Sequence, residues 1–309
     1  MALKLGITAW TGRDGWRARE LAEQAAWAEA FGFDSFWLPE NHFTDARAIP
    51  SPLTLLAAAA AGSNTISLAT TSYLLPIRNP VLAAEEVAVL DQLSDGRLIL
   101  GVGRGIGSEL FDVFGLPVAE KRRVFEENLR VMLAALSGES LSDVGEKPVK
   151  LAPLPIQQPH PPIWLAAFGP LALQQSGRLG LPYLASPLES LAVLADNYGA
   201  HRSALLEHGH AAVATVPVMR SVFVSDDSAL LARLTDALQS TVPARLREKA
   251  GAVEDWAILG DRERVYDKLQ EYQEVLGMTH LIARGQVSRL VADQQTDSHN
   301  MLLDIAGRL

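Results

Sequence analysis

The stretch from Ile66 to Gly115, ISLATTSYLLPIRNPVLAAEEVAVLDQLSDGRLILGVGRGIGSELFDVFG, decides how this chain folds. An apolar, Thr-containing run leads through an Asn79-Pro80 helix start to Arg97-Leu98-Ile99-Leu100-Gly101-Val102, which reads as strand, helix, strand and a glycine-rich loop. Two strands joined by one helix make a right-handed parallel unit. Such a unit covers its apolar faces with helices and presents functional residues just past the carboxyl ends of its strands, here Thr71 to Pro76 and Gly103 to Gly115.

Outward from this stretch the same alternation continues. On the N-terminal side, Leu3 to Trp10 reads as a strand, Trp16 to Phe31 as a helix stopped by Gly32, Ser35 to Leu38 as a strand with Pro39-Glu40-Asn41-His42-Phe43 as its exit loop, and Ser51-Pro52 as the start of an Ala/Leu-rich helix ending at Gly62. On the C-terminal side, Lys121 to Leu136 is an amphipathic helix, and Ser137 to Pro162, with six prolines, is a long excursion rather than a domain boundary. Ile163 to Ala167 with Pro170 to Leu179, and Leu181 to Ala185 with Leu188 to Leu206, repeat the strand-helix pattern. Thr215 to Val224 reads as a seventh strand and Ser225 to Leu259 as a less regular stretch with short helices around Leu230 and Leu246. Asp261 to Leu276 is a helix, Thr279 to Ala283 an eighth strand, and Leu290 to Leu309 a last helix. Eight strand-helix units of about 39 residues each predict an α/β fold, a single-domain (β/α)8 TIM barrel over residues 1–309 with loop insertions. A doubly wound sheet is the competing architecture. Its dinucleotide fingerprint fails here: in Gly101-Val102-Gly103-Arg104-Gly105-Ile106 the third glycine falls on Ile106, and no helix is predicted before Lys121.

Composition narrows the function. A net charge of -9 argues against nucleic acid or an anionic membrane as partner, because both need a basic face. With no cysteine there is no disulfide, thiolate metal site or Cys nucleophile, which suits a reducing cytoplasm. The longest apolar run, Leu53 to Ala61, is too short to span a bilayer, and MALKLGITAW has no secretion-signal pattern. The chain therefore reads as a soluble cytoplasmic protein. His208-Gly209-His210 has a spacing that could serve a metal, but no carboxylate or further His accompanies it, so it reads as a polar turn and no metal is expected.

Leu75-Pro76, Asn79-Pro80-Val81, Ala84-Glu85-Glu86-Val87, Leu90-Asp91-Gln92-Leu93-Ser94, Gly96-Arg97 and Gly103-Arg104-Gly105 through Phe111 to Gly115 resemble the luciferase-like flavin monooxygenases, the family of the bacterial luciferase α subunit. Gly32-Phe33-Asp34, Trp37-Leu38, Glu40 and His42-Phe43-Thr44 extend the likeness upstream without a gap from Glu40 to Gly115. Downstream, Pro162 to Pro182 and Leu259-Gly260-Asp261 resemble later units of the same barrel, while Ser225 to Ala257 has no convincing counterpart. The resemblance implies a (β/α)8 barrel that binds FMN, or in some branches a deazaflavin coenzyme, at the carboxyl ends of its strands. It also implies a small organic substrate, a separate flavin reductase supplying reduced FMN, and a homodimer.

Carried over residue by residue, the resemblance makes Arg104 the flavin-phosphate arginine and Thr71-Ser72 a non-proline cis peptide beneath the flavin ring. It adds Ile106, Ala167, Phe168 and Gly169 as cofactor contacts. By itself Arg104 reads first as a solvated turn charge, and Thr71 as a plain strand residue. The Gly169-Pro170 helix start offers backbone amides to an anion. Phe168, Gly169 and Ala172, however, replace the family's acidic and hydroxyl side chains, and Pro170 removes a donor. Asn41 and His42 are the catalytic candidates: Asn41 stands in for the family's catalytic histidine and cannot exchange a proton near neutral pH, which leaves His42 for acid/base work. Three readings stay open: an FMN monooxygenase, a deazaflavin-dependent hydride-transfer enzyme, and a non-catalytic flavin binder.

Overall fold

The computed structural model describes residues 2–10, 17–43, 48–142, 147–242, 251–285 and 292–309. The expected helix around Leu246 and the motif residue Thr44 lie outside the described residues. Two compact units divide the chain: a middle unit of Trp16–Ala26 and Trp37–Ala166, and a terminal unit of Met1–Gly15, Trp27–Phe36 and Ala167–Leu309. The fold class is α/β, a mostly parallel sheet with flanking helices in the manner of a (β/α)8 barrel, and each strand pairing with a resolved register is parallel. Among the described residues no helix is long and apolar enough to cross a membrane.

The middle unit holds the N-terminal part of α1 (Ala18–Phe31) and the C-terminal part of β2 (Ser35–Leu38), then α2 (Pro52–Gly62), β3 (Ser67–Thr70), β4 (Tyr73–Leu74), α3 (Pro80–Leu93), β5 (Leu98–Gly103), α4 (Ser108–Val113), α5 (Lys121–Leu136) and β6 (Ile163–Ala166). Its strands run in the order β2-β3-β5-β6, with β4 pairing β5. Asn79 caps α3 by accepting from the amides of Val81 and Leu82, with Pro80 at the first helical position, as the sequence suggested. Arg97 pins the start of β5: its guanidinium donates to the carbonyls of Ala60, Ser63, Ile66 and Ser94 and to Ser63 Oγ. The proline-rich excursion is tied down by buried Asp91, which accepts from the Gln157 amide and Nε2 at 2.8 and 2.7 Å. Trp37 and Trp164, both buried, pack at 5.0 Å between ring centroids in the core of this unit.

The terminal unit contains β1 (Lys4–Thr8), α6 (Pro170–Arg178), β7 (Tyr183–Leu184), α7 (Leu191–Glu207), β8 (Pro217–Val224), α8 (Ser228–Thr241), α9 (Val253–Trp256), β9 (Ala257–Gly260), α10 (Arg262–Leu276), β10 (His280–Ala283) and α11 (Ala292–Ala306). Within it the strands run β1-β10-β8-β9.

Three details differ from the sequence reading. Ser108–Val113 is a short helix where none was expected; buried Leu110 and Phe111 pack it against Leu74, and tertiary contact overrides a weak local signal. The irregular stretch after Ser225 holds a full helix at Ser228–Thr241, capped by Asp227. A strand at Ala257–Gly260 follows, paired to β8 and too short to show a period.

Candidate functional site

The exit loop of β2 carries a buried carboxylate. Glu40, whose side chain is fully buried, places Oε1 2.7 Å from His42 Nε2 and 2.8 Å from Arg78 Nη2, while Oε2 accepts from the Leu74 amide at 2.9 Å. A carboxylate accepts only, so Nε2 carries the proton that faces it, and in the neutral imidazole the lone pair is then on Nδ1. Nδ1 has no hydrogen-bond partner among the described residues. Phe43 and Phe114, both exposed, flank the imidazole at 5.6 and 5.3 Å. Asn41 does different work: its Oδ1 accepts from the Ile49 amide at 2.6 Å and its own amide donates to the Ile49 carbonyl, closing the loop back on itself.

Beside His42 a cavity of about 420 Å³ is lined by Ser51, Thr54, Tyr73, Arg78, Glu86 and Phe114 among others. Arg78 lies 3.9 Å over the Tyr73 ring, and Tyr73 donates to Glu86 Oε2 at 2.9 Å. Burial, reinforced by Glu86, drives the Tyr73 hydroxyl well above the ordinary tyrosine range, so it remains a donor.

Past β3 the Thr71–Ser72 peptide is cis, as the resemblance implied. Ser72 explains the glycine that ends β5: a Cβ on Gly103 would stand 2.0 Å from Ser72 Oγ and 2.9 Å from Ser72 Cβ. Arg104, partly exposed, follows directly. Burial and the neighbouring Arg122 hold its guanidinium below the usual arginine range, and burial with Arg104 and Arg122 does the same to the Lys121 ammonium. Among the described residues none of the three has an ion pair with a carboxylate. Among the described residues Lys121 reaches only the Gly105 carbonyl, at 3.5 Å, and the Phe111 ring. Mutually repelling cations without an acid among the described residues, next to the end of a strand, are a group that could hold an anion. Sequence reading named Arg104 but missed Lys121 and Arg122, which lie across a helix and a turn; the signal available was the Lys121-Arg122-Arg123 run, of which only Arg123 is paired with acids.

Of the other expected contacts, Ile106 is exposed in the same loop. Ala167, Phe168 and Gly169 belong to the terminal unit: Ala167 is buried, Phe168 exposed, and Gly169 caps α6 with φ 76°. His208 and His210 bond the carbonyls of Ala204 and Arg178, and no cluster able to hold a metal ion occurs among the described residues.

The family model for luciferase-like monooxygenases matches residues 2–280. The chain belongs to that family. A similar curated protein is the uncharacterized protein y4vJ of Sinorhizobium fredii (strain NBRC 101917 / NGR234), 28% identical over 309 residues that cover 90% of this chain and 87% of that one. Among solved structures, the oxygenating constituent of 3,6-diketocamphane monooxygenase from Pseudomonas putida, in complex with FMN, superposes with a TM-score of 0.85 at 21% identity over 100% of this chain and 99% of that chain. An F420-dependent secondary alcohol dehydrogenase superposes with a TM-score of 0.80 at 18% identity, over 99% of each chain. At such identities the likeness establishes the fold.

Proposed function

We propose that this luciferase-like chain works as one domain and is a monooxygenase using reduced FMN and oxygen on a small organic substrate. The observation that carries the reading is the acid-free group of Arg104, Lys121 and Arg122 at the end of β5. A flavin phosphate is dianionic and matches a guanidinium fork, and its binding relieves the repulsion among these cations. Ser72 packs on Gly103 and Leu110 on Gly105, which fixes the loop that carries Arg104, and the cis step Thr71–Ser72 with Ile106 completes the flavin contacts proposed for this unit.

FMN, when bound, supplies the redox chemistry. The chain's own residues bind, orient and handle protons. His42, held through Nε2 by Glu40, takes or returns a proton at Nδ1, while Asn41 keeps the loop closed around it. A separate reductase, a cytoplasmic location and a homodimer belong to the same reading. Exposed Leu82, Val89 and Leu93 fall on one face of α3 and support the last of these.

The second reading, deazaflavin-dependent hydride transfer, is favoured by Ala166-Ala167-Phe168-Gly169-Pro170, which carries no acidic or hydroxyl side chain. The deciding experiment titrates the purified protein with FMN, reduced FMN and a deazaflavin by fluorescence, then follows oxygen uptake with reduced FMN and a panel of aldehydes, ketones and thioethers. Tight reduced-FMN binding with substrate-dependent oxygen uptake is expected. Deazaflavin binding alone, with oxygen uptake no faster than free flavin, overturns the monooxygenase reading.

A further inference from the structure

Arg78 ends the turn Leu75–Ile77 and stands directly before the Asn79-Pro80 start of α3. Its backbone is fixed from two sides: its amide donates to the Leu75 carbonyl at 3.2 Å, and Asn128 Nδ2, from α5, donates to the carbonyls of Leu75 and Arg78 at 3.1 and 3.0 Å. The side chain reaches β4. Nη1 donates to the Leu74 carbonyl at 2.7 Å, and the guanidinium lies 3.9 Å over the Tyr73 ring. Nη2 meets Glu40 Oε1 at 2.8 Å, while Glu40 Oε2 accepts from the Leu74 amide. Leu74 gives its carbonyl to the cation and its amide to the anion, so the ion pair closes on one backbone residue without help from His42.

This closure bears on the imidazole. A carboxylate with no other counter-charge stabilises a protonated imidazole beside it, and an imidazolium has no lone pair with which to take a proton. Here the fully buried carboxylate already has its counter-charge in a guanidinium, which is always charged. His42 adds one hydrogen bond to a neutralised acid, 2.7 Å from the same oxygen. Tyr73 and Glu86 steady the arrangement: the ring face attracts the guanidinium, and the Tyr73 hydroxyl donates to Glu86 Oε2, on α3, at 2.9 Å. Among the described residues, Arg78, Tyr73 and Glu86 are also the other charged and titratable groups lining the cavity beside His42.

We infer that Arg78 is a positioning residue for His42: by neutralising Glu40 it keeps the imidazole uncharged, with its proton on Nε2 and the lone pair on Nδ1 free to accept another. The inference rests on the proposed reading of His42 as the residue that handles the proton, and its test observes the imidazole itself.

The test maps the His42 protons in the full chain without flavin, by long-range proton–nitrogen correlation spectra of histidine-labelled protein at pH about 7.5, roughly one unit above the ordinary histidine pKa. Among the seven histidines, the His42 signals are those missing from His42→Gln. The wild type should show His42 mainly in the neutral Nε2–H form. Arg78→Gln removes the charge that answers Glu40 and should cut that form at least about twofold, whereas Arg78→Lys keeps the charge and should retain most of it. Circular-dichroism melts check each fold. Should Arg78→Gln not fold, the wild type and Arg78→Lys decide by the same spectra. A wild-type His42 that is charged or protonated on Nδ1, an Arg78→Gln spectrum like that of the wild type, or an Arg78→Lys spectrum in which the neutral form falls twofold or more overturns the inference. Oxygen uptake separates it from the proposed function. No substrate-dependent uptake in the wild type refutes the monooxygenase reading while the spectra still decide the role of Arg78. With uptake, Arg78→Gln should lower kcat about tenfold and leave flavin affinity within a few-fold, and an unchanged kcat overturns the positioning role.

Discussion

Glu40 Oε1 lies 2.7 Å from His42 Nε2 and 2.8 Å from Arg78 Nη2, so one buried carboxylate holds an imidazole and a guanidinium at once. The two neighbours need it for different reasons. His42 needs a fixed tautomer, and Arg78 needs a counter-charge. Replacing His42 by Gln should lower turnover about a hundredfold while flavin affinity stays within a few-fold, because proton handling is lost but the cations past β5 are untouched. Steady-state kinetics beside flavin titration separate the two effects, and an equal loss in both would refute the role.

Removing the charge at the centre should act on the fold instead. Glu40→Gln leaves the Arg78 guanidinium without its acid and is expected to destabilise the protein by about 3 kcal/mol. Urea unfolding reads this directly. A loss below about 0.5 kcal/mol would mean that Arg78 is solvated rather than paired.

The phosphate site makes a ligand-specific prediction. Arg104→Ala should weaken FMN by roughly 1.5 to 3 kcal/mol, the worth of a charge-assisted hydrogen bond, and leave riboflavin nearly unaffected. Lys121→Ala should act in the same direction and less strongly. Equal weakening of FMN and riboflavin would place Arg104 away from the phosphate.

Gly103 and Ser72 compete for one volume. Gly103→Ala puts a methyl group where Ser72 Oγ stands and should cost about 1 to 3 kcal/mol, and Ser72→Gly in the same chain should recover most of it. A double-mutant cycle in urea checks the coupling; additive losses would show that the loop shifts freely.

Acid stability should carry the mark of His299. Trp10, Phe31 and Phe33 surround its ring at 5.6 to 5.8 Å, and burial lowers its pKa from 6.5 to about 4. Between these values the unfolded chain binds the proton and the folded one does not. Its contribution is therefore complete above pH 6.5 and is lost as pH falls toward 4, about 3 kcal/mol in all. His299→Phe should flatten that limb of the stability profile, measured by urea unfolding across the interval. A limb unchanged in the variant would assign the acid sensitivity to other groups.

Much of the fold was legible in the chain because strand-helix alternation repeats with the periods of buried parallel strands and one-sided helices, and because Asn79-Pro80 and Asp261 mark helix starts by local chemistry alone. The family resemblance, not local pattern, singled out Thr71, Ser72, Arg104 and His42. Local pattern says nothing about what a side chain meets from far along the sequence. The pairing of Glu40 with Arg78, the repulsion of Arg104 by Arg122 and the volume shared by Gly103 and Ser72 all join residues separated by 18 to 38 positions. Those relations were decided only by packing, because electrostatics and excluded volume act through space and the sequence orders residues along a line.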